Sequence, residues 1–313
     1  MLLTACGSTG SAPKTDNGRG GHTLSIVATI FPEYDWLMNV LGENPAGADV
    51  TLLCGNGVDL HSYQPSVDDV LKIADCDLFI YVGGESDGWV KDALGNAVNK
   101  DMTVVNLLDC LGNRVREEET VEGMQEEGAD HSEETSYDEH IWLSLKNAIV
   151  CTETVRDALC GLDPDHAAVY EENTEKYIRK LDALDSAYRE AADLAGTGTL
   201  LFADRFPFRY LTEDYGLAYY AAFSGCSAET EASFETVTFL ADKIDELSLH
   251  CILTIEGSDR RLAETIAENA GSPDLTILTM DSMQAVSGKD IAAGVSYLSI
   301  MEQNLDVLKQ ALR

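Results

Sequence analysis

Three short segments of the 313-residue chain carry metal-type side chains just after β-rich runs. The first is Gly57-Val58-Asp59-Leu60-His61-Ser62-Tyr63-Gln64-Pro65-Ser66. It places His61 between a strand and a helix for which Ser66 is the N-cap and Asp69 the third helical residue. The second is Tyr137-Asp138-Glu139-His140-Ile141-Trp142-Leu143-Ser144, in which an acidic run stops at a histidine followed by aromatic and apolar residues. His140 therefore stands at the edge of packed structure, and Asp138 and Glu139 are at hand to orient it. The third is Leu278-Thr279-Met280-Asp281-Ser282-Met283, an apolar strand ending in a carboxylate. A loop histidine alone is more often solvated than ligating, and an Asp at a strand end is usually a turn former. Imidazole and carboxylate are nevertheless donors suited to divalent metals, and open α/β sheets put their ligands in such loops.

The elements that must hold these loops alternate in type. Strands are expected at Leu24–Thr29, Asp49–Leu53, Leu78–Val82 and Thr103–Asn106, with helices near Tyr34–Leu41, Ser66–Ala74, Trp89–Val98 and Leu143–Leu159. Pro164 then opens a helical stretch to Ala195, with Val169, Tyr170, Tyr177, Ile178, Leu181, Leu184 and Tyr188 at three- and four-residue intervals. At about 1.5 Å per residue this helix is long enough to run from one lobe into another. Alternation resumes with strands at Leu200–Ala203, Leu217–Ala222, Cys251–Ile255 and Thr276–Thr279. The helices between them are expected at Phe206–Tyr215, Phe234–Leu247, Arg261–Asn269 and Ile291–Leu312. The expected fold class is α/β: two β/α lobes with parallel-type sheets, joined by one long rigid α-helix. The expected organisation is a signal remnant and tether (1–23), an N-terminal lobe (24–163), a linking helix (164–196) and a C-terminal lobe (197–313). Within the first lobe, the Glu- and Gly-rich residues 114–139 read as an acidic mobile loop.

Composition narrows the partners. With 55 acidic against 21 basic residues the formal charge is -34, which excludes nucleic acid as a partner, since phosphate binding needs a basic face. The same field repels anions and concentrates cations. The opening Leu3-Thr4-Ala5-Cys6-Gly7 reads as a lipobox with Cys6 as the acylated residue, followed by a Gly/Ser-rich tether to Gly21. No later stretch has the roughly 18 to 20 continuous apolar residues of a spanning helix. The chain is thus expected to be extracytoplasmic and lipid-anchored to the cell membrane. The seven further cysteines, at 54, 76, 110, 151, 160, 226 and 251, cannot all pair within one molecule. Without any Cys-x-x-Cys spacing they read as buried apolar thiols, which hints at a reducing or anaerobic habitat.

In order and spacing, the segments from Leu24 to Leu312 resemble the zinc/manganese ABC-importer solute-binding lipoproteins, the cluster A-I family that includes ZnuA-like and TroA-like proteins. Asp59-Leu60-His61 matches that family's Asp-Pro-His loop, and Asp138-Glu139-His140-Ile141-Trp142-Leu143 matches its Asp-Pro-His-x-Trp-Leu. The resemblance implies His61, His140 and Asp281 as metal ligands, Zn2+ first and Mn2+ second as transported ligand, a membrane permease of an ABC importer as partner, a monomer, and no enzymatic activity. The acidic segment corresponds to the charged, often His-rich loop of zinc members, with His131 its only histidine. Some relatives are surface adhesins, which is one alternative; a secreted zinc hydrolase is the weaker one, because neither His-Glu-x-x-His nor Gly-x-Ser-x-Gly occurs.

The third ligand position departs from the family. The register fixed by Phe208, Tyr210 and Tyr215-Gly216-Leu217 puts Arg205 there, and a guanidinium has no lone pair to donate. Asp204 or Glu256 could take over, water could complete the shell, or Arg205 could pair with Asp281 or Glu256.

Overall fold

The computed structural model describes residues 23–125, 136–227 and 231–313. The lipobox with Cys6, the tether to Gly21, and residues 126–135 of the acidic segment, His131 among them, lie outside the described residues. Among the described residues no helix is long and apolar enough to cross a membrane.

The first lobe runs β1 (Ser25–Ala28), α1 (Phe31–Leu41), β2 (Asp49–Leu52), α2 (Val67–Asp75), β3 (Leu78–Tyr81), α3 (Val90–Gly95), β4 (Thr103–Asn106), α4 (Leu107–Leu111) and α5 (Leu145–Leu162). After α6 (Ala167–Asp193), the second lobe runs β5 (Thr199–Phe206), α7 (Arg209–Tyr215), β6 (Ala218–Ser224), α8 (Phe234–Leu247), β7 (Cys251–Ile255), α9 (Arg261–Asn269), β8 (Thr276–Met280), α10 (Gly288–Ala292) and α11 (Tyr297–Ala311). Both sheets are parallel throughout and share one topology, β2-β1-β3-β4 in the first and β6-β5-β7-β8 in the second. In each, the strand order reverses beside the strand that comes first in the chain, β1 or β5, and such a switch point at the carboxyl ends of the strands is where open α/β sheets place their ligands.

Covered faces explain why the central strands read as apolar runs rather than as alternations. Leu200 and Phe202 of β5 point into the large core shared with α6 and α11, whereas Leu201 and Ala203 point to a smaller cluster under α8 and α9. The period-two switch thus distributes one strand between two helix layers. At 27 residues α6 is about 40 Å long. It docks on the first lobe through Tyr177 (hydroxyl to Asp35 Oδ2, 3.2 Å) and on the second through Tyr188 (hydroxyl to the Met301 carbonyl, 2.6 Å).

Three local features differ from the sequence reading. Strand β5 continues through the polar pair Asp204-Arg205 to Phe206, with a register irregularity between Phe202 and Arg205. The terminal helix is broken into α10 and α11 around Gly294, whose φ of +95° ends the first piece. The described flanks of the acidic segment are packed. Glu117 bridges Tyr137 in antiparallel fashion, Met124 is buried, and the Gln125 amide donates to the Ala222 carbonyl on β6 (2.9 Å). This strap, leaving the first lobe, therefore lies along the second.

Candidate metal centre

His61 sits in a 3-10 turn, Leu60–Ser62, between β2 and α2. The turn holds because the Asp59 side chain accepts from the His61 amide at 3.0 Å, and α2 starts behind a reciprocal Ser66/Asp69 capping box. His140 precedes a second 3-10 turn, Ile141–Leu143, that leads into α5. Trp142, two residues on and 1% exposed, anchors this turn across the lobe boundary. Its indole N–H donates to the Ser282 carbonyl (2.8 Å), its carbonyl accepts from the Tyr297 hydroxyl (2.6 Å), and its ring meets the His140 ring edge-on with centroids 5.3 Å apart. The Tyr210 hydroxyl from α7 adds a bond to the Asp138 carbonyl at 2.8 Å.

These supports bring the two imidazoles tip to tip, Nε2 to Nε2 at 3.0 Å with the rings tilted by 58°. Each outer nitrogen has its own partner. His140 Nδ1 lies 3.0 Å from Asp138 Oδ1, and His61 Nδ1 lies 2.7 Å from Ser86 Oγ and 3.6 Å from Glu139 Oε2. Asp138 thus orients His140 as expected from the sequence, while Glu139 serves the other imidazole. Glu139 is itself fixed by the Ser86 amide (2.8 Å) and by Gly84, whose φ of +85° and bare Cα leave it room. A Cβ at Gly84 would stand 2.3 Å from Glu139 Oε1.

The network assigns the protons. With its amide turned so that both ends find partners, Gln284 donates to Asp59 Oδ1 (2.9 Å) and to His61 Nε2 (3.3 Å), making that nitrogen an acceptor. The bond between the rings then takes its hydrogen from His140 Nε2, and His140 Nδ1–H points at Asp138. Electrostatics agree with this division. Burial, then the neighbouring His140, pushes His61 down to about 4. Burial also opposes charge on His140, but the charge and hydrogen bond of Asp138, with Glu139 and Asp59 behind them, outweigh it and hold His140 above its ordinary value. The 3.0 Å approach of the two Nε2 atoms is a hydrogen bond and takes one proton between the rings. Two zinc-bound imidazole nitrogens in tetrahedral geometry are about 3.3 Å apart, so exchanging that proton for a metal requires the rings to part slightly and to turn both Nε2 lone pairs towards the ion.

The other residues singled out in the sequence fall around this pair. Arg205, at the end of β5, forms a cross-lobe ion pair with Asp59 (Nη2 to Oδ2, 2.9 Å) rather than with Asp281 or Glu256. Asp204 is spent on backbone amides, its own neighbour Arg205 (2.9 Å) and Ile255 (3.3 Å). Glu256 follows β7 and ties down the turn after β8, accepting from the Ser282 amide (2.7 Å), the Ser282 hydroxyl (2.6 Å) and the Gln284 amide (3.1 Å). Burial first, then the charge of Asp281, raises Glu256 to about 7. Asp281, also raised chiefly by burial, accepts from the Met283 amide at 2.7 Å. Among the described residues, the ligand-type atoms that gather within 4.8 Å of one another belong to His61, His140 and Cys226; Asp281, Asp204 and Glu256 are not in that group. From sequence alone Cys226 reads as a buried apolar thiol, whereas it is only half-buried and follows the carboxyl end of β6, the kind of place where open α/β sheets put ligands.

Replacing Asp138 with Asn keeps the shape but removes the charge behind His140. Zinc affinity is expected to fall by about 10–100-fold, as for lost outer-shell partners generally, measured by competition with a chelator; an unchanged affinity would mean that Asp138 does not tune this ring.

The family model described as zinc-uptake complex component A, periplasmic, matches residues 26–311. The zinc-binding lipoprotein AdcA of Streptococcus pneumoniae is 33% identical over 99% of this chain, which spans 58% of that protein's length. The high-affinity zinc uptake system protein ZnuA of Bacillus subtilis is 28% identical over 100% of this chain and 94% of its own length. The crystal structure of the Zn(II)-bound ZnuA-like domain of Streptococcus pneumoniae AdcA superposes with a TM-score of 0.72 at 30% identity, covering 93% of this chain and 99% of that one.

Proposed function

We propose, because this chain belongs to the zinc-uptake complex component A periplasmic family, that it captures Zn2+ between its lobes with His61 and His140 and hands it to the membrane permease of an ABC importer. The family consists of non-enzymatic solute-binding proteins, so the metal is cargo and not a catalytic cofactor. The observation that carries this reading is the buried Nε2 to Nε2 approach of 3.0 Å, with a hydrogen-bond partner behind each ring. Zinc is the metal named for AdcA and ZnuA and the one bound in the AdcA domain. Anchoring through Cys6 on the extracytoplasmic side belongs to the same reading and is supported by the lipoprotein name of AdcA. Asp281 is the oxygen donor that the family resemblance adds. Its Oδ1 is held by the Met283 amide and it stands outside the gathered group, so Asp281→Ala should cost less zinc affinity than loss of either histidine. Manganese and adhesion gain no support from the geometry of the site.

The proton shared by the rings makes capture an exchange. Zinc binds the neutral imidazole, so it must displace the proton held by His140. His61, with a value near 4, is already neutral and adds no competition above that pH. Lowering the pH protonates more His140 and weakens binding, by about tenfold per unit for each proton released per metal. Calorimetric titration of zinc into the demetallated full chain is expected to give one site per chain, proton release, and an affinity that falls between about pH 7.5 and pH 5. A flat affinity over that range would contradict the exchange.

A further inference from the structure

Arg205 leaves the centre short of a donor, and the neighbouring strand offers one. Arg205 on β5 pairs in register with Phe223 on β6, Phe206 with Ser224, and Cys226 follows two residues later. Its sulfur lies within 4.8 Å of donor nitrogens of both His61 and His140. Gly225 makes the approach possible: a Cβ there would stand 3.0 Å from His140 Cε1 and 3.1 Å from Nδ1. The loop is pinned on its other side by the Glu118 side chain, whose Oε1 accepts from the Cys226 amide at 3.1 Å. His140 is 0% exposed, and its Nε2 faces His61 Nε2 at 3.0 Å.

We infer that Cys226 is the third protein ligand, releasing its thiol proton to solvent as it binds, so that its thiolate replaces the donor lost at Arg205 and gives a His2Cys centre selective for zinc over manganese. This rests on the metal-capture reading above. Zinc accepts two imidazoles and a thiolate in a tetrahedral shell, with Zn–N of about 2.0–2.1 Å and Zn–S of about 2.3 Å. Those lengths put sulfur and nitrogen about 3.6 Å apart, against the 4.8 Å within which the three donor atoms gather here. Thiolate is a soft donor that favours zinc, whereas manganese prefers carboxylate, carbonyl and water. Burial, then the charges of Glu118, Asp138 and Glu139, holds the Cys226 thiol well above its ordinary value, so metal binding has to displace its proton, while the Arg205 guanidinium is already matched by Asp59 at 2.9 Å. In this arrangement Arg205 holds the His61 turn to the second lobe and Cys226 does the ligating, so the third donor has moved one strand along the sheet.

The test uses the full chain, reduced and demetallated, as wild type, Cys226→Ser and the double variant Cys226→Ser/Arg205→His. Cobalt(II) reports sulfur ligation through an intense thiolate charge-transfer band in the near ultraviolet. The expected result is a band in wild type that Cys226→Ser abolishes, with zinc affinity down by more than about tenfold and manganese affinity unmoved. The double variant should regain zinc affinity without regaining the band. As a check independent of folding in the variants, zinc should protect Cys226 of the wild type from alkylation, read by peptide mass spectrometry. A wild type that binds zinc tightly with no band, or a Cys226→Ser protein with wild-type zinc affinity, overturns the assignment. A wild type that takes up no zinc at all would instead remove the capture reading on which it stands.

Discussion

His61→Ala and His140→Ala should each lower zinc affinity by more than about 100-fold, beyond the range seen for outer-shell partners, while the two lobes stay folded. The variants are not equivalent. The His61 side chain is 12% exposed, and its truncation frees the hydroxyl of Ser86, which is itself only half-buried. His140 is fully buried, and removing it strands the Asp138 carboxylate, 3% exposed, without its charged partner. The second change should therefore also cost about 1–3 kcal/mol of stability. His61→Ala is the cleaner probe of ligation, with chelator competition for affinity and thermal unfolding without metal for the fold. Wild-type affinity in His61→Ala would show that the metal is held elsewhere.

Trp142→Ala should destabilise the chain by about 3–5 kcal/mol, the range for emptying a buried Trp site. The ring fills space at 1% exposure, and its N–H satisfies the Ser282 carbonyl at 2.8 Å in the other lobe. Trp142→Phe retains most of the volume and loses only that bond, so about 1–3 kcal/mol is expected. Urea unfolding should rank the midpoints wild type, then Phe, then Ala. Because the indole packs edge-on against His140, both variants should weaken zinc binding as well. An Ala variant with a wild-type midpoint would mean that this cross-lobe anchor carries little of the stability.

The layout of the lobes was open to reading because their strands are short apolar runs between helical periods, a pattern that depends only on local burial. The positions of His61 and His140 were legible through the resemblance of their flanking motifs. What escaped was set by long-range contacts that leave no local pattern. Asp204-Arg205 looks like a loop, yet β5 carries it inside the sheet because neighbouring β6 extends equally far. Arg205 finds Asp59, 146 positions away, instead of the nearer carboxylates Glu256 and Asp281. Glu139 is adjacent in sequence to His140, but the tight Gly84 turn directs it to His61. A single cysteine without partner spacing carries no motif at all, so Cys226 emerged only when two lobes were set against each other.

The claim on which the rest depends is that His61 and His140 bind the same metal ion. X-ray absorption at the zinc edge of the zinc-loaded full chain measures that shell directly. Two imidazole nitrogens at about 2.0–2.1 Å, with the multiple-scattering signature of the rings and one sulfur at about 2.3 Å, are the predicted result; loss of one imidazole contribution in His61→Ala should follow. A shell made only of oxygen, or one unchanged in His61→Ala, would contradict it.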